Sequence, residues 1–69
     1  MCEIVFAIHK DPEGGYAARA LGGSIFAEAG SLGQLRENTR ASVRRHFPDE
    51  AARPKVIRLH FVRDEVMAT

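Results

Sequence analysis

The chain has 69 residues, with ten lysines and arginines against nine aspartates and glutamates, for a formal net charge of +1. That length makes one domain, residues 1–69, and a near-neutral balance does not announce a nucleic-acid binder. Cys2 is the single cysteine, which excludes an intrachain disulfide and argues for a reducing, cytoplasmic compartment.

No apolar run approaches the ~20 residues of a membrane-spanning helix. Glu3, His9, Lys10 and Asp11 interrupt the N-terminal apolar stretch, so it does not read as a signal peptide. A domain this short hides only roughly 60% of its unfolded surface. With disulfides excluded, a metal or oligomerisation is the expected source of extra stability.

Residues 2–9 alternate, with Ile4, Phe6 and Ile8 on one face and Val5, Ala7 and His9 on the other. The pattern predicts a strand that is apolar on both faces. Asp11-Pro12-Glu13-Gly14-Gly15 follows as a hairpin loop, since proline presets φ and the glycines accept positive φ. Residues 16–21 form the second expected strand and Gly22-Gly23 a second sharp turn. Residues 24–29 form the third strand, with Ile25, Ala27 and Ala29 sharing a face.

Ser31-Leu32-Gly33-Gln34 fits a capping box that opens a helix. Leu32, Leu35, Thr39, Val43, His46 and Phe47 then recur at helical spacing, with the small Ser42 beside them. Pro48 ends the helix. A helix over residues 32–47 is about 24 Å long, against about 23 Å for a seven-residue strand, so it is expected to cover the sheet. Gly33 weakens the first helical turn by ~1 kcal/mol relative to alanine, with no reason visible in the sequence. Residues 55–63 form the last strand, with Ile57, Leu59 and Phe61 opposite Val56, Arg58, His60 and Val62. The tail, residues 64–69, either extends that strand or frays.

The predicted order is therefore β-β-β-α-β, an α+β fold with one four-stranded sheet and a single helix on one face. The far face has no second helix to cover it. Val5, Ala7, Ala17, Leu21 and Val62, beside Arg19, Arg58 and His60, form an apolar patch with a polar rim, which predicts a homodimer or larger assembly.

No constellation completes a catalytic site. His9, His46 and His60 fall on three elements without metal-ligand spacing, so no metal is expected. Cys2 reads as a small strand residue, Ser24 as a turn residue, Ser31 as a helix cap and Ser42 as a small residue facing the sheet. Glu28, Glu37, Asp49, Glu50, Asp64 and Glu65 are scattered. Gly14-Gly15 and Gly22-Gly23 lack the spacing of phosphate loops. No enzyme and no cofactor are expected. Arg36, Arg40 and Arg44, with Arg45 beside them, make a basic stripe on the helix. It suits phosphates, an acidic protein surface or plain solvent. No aromatic residue is interleaved for base stacking.

Several segments together resemble the N-terminal domain of HicB-like antitoxins. Asp11-Pro12-Glu13-Gly14-Gly15-Tyr16-Ala17-Ala18 is similar to that family's first hairpin, acidic-x-x-Gly-x-aromatic-x-Ala. Leu21-Gly22-Gly23-Ser24 stands where the family has Leu-Pro-Gly-Cys. Gly30-Ser31-Leu32-Gly33-Gln34-Leu35 resembles its Gly-Asp-Thr-x-x-Glu-Ala helix start, one residue shorter. Asn38 fits the family's helical asparagine, and Ala41-Ser42 its Glu-Ala in the small size of the second residue only. The resemblance covers residues 3–62. It implies a fold related to double-stranded-RNA-binding domains, assembly into dimers or tetramers, and binding of a small RNA-cleaving toxin of the HicA type. Many members carry a C-terminal DNA-binding segment without counterpart in these 69 residues, so DNA binding is not expected here. The competing readings are an orphan homo-oligomeric structural protein and a weak RNA-binding module using Arg36, Arg40 and Arg44.

Overall fold

The computed structural model describes residues 3–63 and 67–69; Cys2 and the tail residues 64–66 lie outside that description. Strands β1 (Glu3–Lys10), β2 (Tyr16–Ala20) and β3 (Phe26–Ala29) precede helix α1 (Leu32–His46), which is followed by strand β4 (Val56–Phe61). The order is the β-β-β-α-β expected. The sheet runs β3-β2-β1-β4. β1 is antiparallel to β2 and β2 to β3, whereas β4 lies parallel to β1. A parallel neighbour requires a long crossover, and α1 with its flanking loops supplies it.

The strands are a little shorter than the alternation suggests. β2 stops at Ala20 and β3 starts at Phe26, because Gly22-Gly23 needs room to turn: Ala20 both accepts from Gly23 N–H (2.8 Å) and donates to Ile25 C=O (2.9 Å). Leu21 therefore leaves β2, yet its N–H still donates to Val5 C=O (3.0 Å). β4 ends at Phe61, and Val62 continues the pairing through its N–H to Ile8 C=O (2.9 Å).

At the start of α1, Ser31 is extended and its Oγ accepts from the Gln34 N–H at 3.2 Å, as an N-cap should. The reciprocal half of the expected capping box does not form. Gln34 Nε2 donates instead to Asn38 Oδ1 (2.8 Å), and Asn38 Nδ2 donates to the Glu28 carbonyl (3.0 Å). The pair of amides thus ties the helix to β3. At the other end Phe47 caps the helix, and Arg53 donates to the Phe47 and Pro48 carbonyls. His46 is exposed rather than part of the buried stripe, with its ring edge-on to Phe47.

Phe6, Ile8, Ala18, Ala20, Ile25, Ala27, Leu35 and Val43 form the core between helix and sheet. Thr39 and Ser42 are buried in the same stripe. The helix does not sit over the middle of the sheet. It packs on β3 and β2 and barely meets β4. The floor beneath it is mostly alanine (Ala18, Ala20, Ala27), so it settles low on that side. The expected full cover of the sheet fails at β4, where Ile57 and Leu59 are only half-buried and Phe61 is 53% exposed.

Candidate functional site: two uncovered surfaces

The cross-strand register fixes which side chains share the far face. Phe6 pairs with Ala20 and Leu59, and Ile8 with Ala18 and Phe61, so these face the helix. Val5 pairs with Arg58, Ala7 with Arg19 and His60, His9 with Ala17, Ala17 with Glu28, and Arg19 with Phe26. The far face therefore holds Val5, Ala7, Ala17, Arg19, Arg58 and His60 as the alternation implies. Leu21 and Val62 extend it just beyond the strand ends.

Val5, Ala7, Ala17 and Val62 are half-buried, and Arg19, Leu21, Arg58 and His60 exposed. Two residues missing from the expected patch belong to it. Phe26 is 48% exposed and lies beneath the Arg19 guanidinium, 5.3 Å from ring centroid to Cζ. Val56 is 51% exposed and opposite Glu3. Both were readable from the same period-2 rule, since Phe26 alternates with Ile25 and Ala27 and Val56 with Ile57. Arg58 is ion-paired with Glu3 on this face. Solvent screening makes such an exposed pair worth little to stability.

The second surface lies on the helix side, where α1 fails to reach β4. Arg36, Thr39 and Arg40 form one wall of an open groove of about 230 Å³, and Ile57 and Leu59 form its floor and other wall. It continues into a hollow lined by Arg40, Val43, Arg44, Arg53, Pro54, Lys55 and Ile57. The structure thus brings together the helix arginines 36, 40 and 44 with two cations, Arg53 and Lys55, that the helical spacing does not predict. Arg40 also donates to Glu37 at 2.6 Å, both side chains being exposed. The Thr39 Oγ1 is buried with no hydrogen-bond partner among the described residues.

His9 and His60 lie on the far face and His46 at the helix end. Among the described residues, no three His, Cys, Asp or Glu side chains gather closely enough to hold a metal ion. Nor is any helix among them long and apolar enough to cross a membrane.

The sequence is 45% identical over 53 residues to a UPF0150 protein of Archaeoglobus fulgidus, an alignment that spans 77% of each chain. The chain belongs to the UPF0150 family. No family model matches the sequence, and no solved structure matches it at a significant level. For this UPF0150 chain the described residues offer two uncovered surfaces, a mixed apolar sheet face and a basic groove.

Proposed function

We propose that this UPF0150 chain is a non-catalytic protein-binding module of the HicB antitoxin type. In this reading it self-associates through the far face of its sheet and caps a small toxin of the HicA kind. The carrying observation is that far face: Val5, Ala7, Ala17, Phe26 and Val56 form an apolar surface rimmed by Arg19, Arg58 and His60, with no element of the described chain over it. An apolar area with a charged rim is the common character of a protein contact. Family membership adds support, since UPF0150 groups small proteins of the HicB-like, antitoxin type.

Light scattering on the purified chain at micromolar concentration tests self-association. A dimer or larger species is expected, and a stable monomer overturns that half of the reading. Co-expression with the product of the adjacent gene tests toxin capping. A stoichiometric complex in which RNA cleavage by that product is suppressed is expected, and cleavage unaffected by an excess of this chain overturns it.

A further inference from the structure

We infer that the groove between α1 and β4 is a docking site for an extended, acidic peptide segment of a partner protein, which adds to the sheet as a fifth strand beside β4. The inference deepens the reading of this chain as a protein-binding module and holds whether or not the partner is a toxin.

Three observations converge. The first is the main chain of the edge. Val62 N–H donates to Ile8 C=O, and successive residues of a strand turn their N–H and C=O groups to alternate sides. Val56, Arg58 and His60 therefore face β1. Ile57, Leu59 and Phe61 direct their N–H and C=O groups outward, where no described strand pairs with them. A row of unpaired main-chain groups is a template for an added strand.

The second is the side chains of those same three residues. They stand on the helix side of the sheet, half-buried or exposed, because the helix lies over β2 and β3. A strand placed beside β4, at the usual ~4.8 Å spacing, would cover them with its own helix-side residues. These residues are therefore two apart and bring aliphatic carbon to the edge, which the methylene stem of a glutamate supplies while its carboxylate reaches toward the helix.

The third is charge. Arg36, Arg40, Arg44, Arg53 and Lys55 line the groove and its continuation, and among the described residues no carboxylate does. Glu37 holds Arg40 from outside the groove, in an exposed pair that an incoming carboxylate can displace at little cost. A second copy presenting the same cations would be repelled, so the occupant is acidic and different. RNA fits less well. A nucleic acid has no strand main chain to offer the edge, and among the described helix-side residues of β4 Phe61 alone offers a ring, too little for a run of stacked bases.

The test uses the full chain and a fluorescein-labelled peptide of about seven residues alternating glutamate with valine. Its rivals are the same peptide with lysine for glutamate, the same peptide N-methylated at every residue, and a uridine oligonucleotide. Anisotropy should show the glutamate peptide binding, and the lysine and N-methylated peptides binding at least about tenfold more weakly. In the ¹⁵N spectrum the amides of Ile57, Leu59 and Phe61 should shift more than those of Val56, Arg58 and His60. Arg36→Glu/Arg40→Glu should weaken the glutamate peptide by a similar factor and leave the oligomeric state unchanged. Equal binding of the N-methylated peptide, tighter binding of the oligonucleotide, or no binding at millimolar peptide each overturns the inference. None of these results bears on self-association through the far face.

Discussion

Thr39 is a polar residue in the middle of the buried helix stripe, and its hydroxyl has been taken from water without a hydrogen bond in return. Such a group costs about 1–3 kcal/mol. Valine keeps the shape and removes the hydroxyl, so Thr39→Val is expected to stabilise the fold by about 1 kcal/mol. For a domain of this size that is a rise in Tm of roughly 4–8 °C, readable by calorimetry. A lowered Tm would mean that the hydroxyl is satisfied in solution.

Two glycines give an opposed pair at the same scale. Gly15 has φ of +91°, and a Cβ there would sit 3.0 Å from the Ala29 carbonyl oxygen. Gly33 lies in the first turn of α1 with open space around it. Gly33→Ala should therefore stabilise by up to about 1 kcal/mol, and Gly15→Ala should destabilise by 1 kcal/mol or more, at roughly that scale. Urea midpoints of the two variants compare them directly. Nothing within the fold requires the glycine at position 33.

At the scale of elements, the position of α1 decides where the chain is sealed and where it is open. The short link Gly30-Ser31 starts the helix beside β3, and Asn38 fastens it there through the Glu28 carbonyl. Small side chains below let it sit close: Ala18 is fully buried and Ala20 and Ala27 nearly so. Enlarging that floor should lift the helix. Ala18→Leu is expected to cost about 1–3 kcal/mol through overpacking. For a domain whose total stability is only about 0.05–0.15 kcal/mol per residue, this is a large fraction. Chemical denaturation measures it, and a neutral result would refute the account of helix placement. The alternating pattern made each strand legible, and the serine cap and Pro48 made both helix ends legible. The amide relay from Gln34 to Asn38 was not, because the capping-box spacing fits equally well with Gln34 turned back to Ser31. The acceptor that wins is set by a carbonyl on β3.

At the scale of the whole molecule, four strands share one helix, so among the described residues nothing packs over the far face of the sheet and little packs over β4. Ala7 sits near the middle of the uncovered face, with Arg19 and His60 as its cross-strand neighbours. A glutamate there has cations beside it in the monomer, but it would place a charge in the centre of an apolar contact. If the chain self-associates through this face as proposed, Ala7→Glu is expected to dissociate that oligomer and leave a folded monomer. Light scattering and circular dichroism together separate dissociation from unfolding, and an intact oligomer would move the interface elsewhere.

The sequence alone determined the element order, the two faces of each strand and hence most of the far-face patch. These follow from local periods of two and 3.6 residues, which any backbone must obey. It also carried the arginine stripe at positions 36, 40 and 44, since four-residue spacing stays on one side of a helix. Only the tertiary structure decided that β4 lies beside β1 and that the helix leans toward β3. It alone brought Arg53 and Lys55 to the helix arginines, forming a basic groove above Ile57 and Leu59. Those facts depend on which distant segments find each other, through alanines thin enough to admit a helix and one asparagine reaching a strand carbonyl, and no local pattern encodes such a meeting.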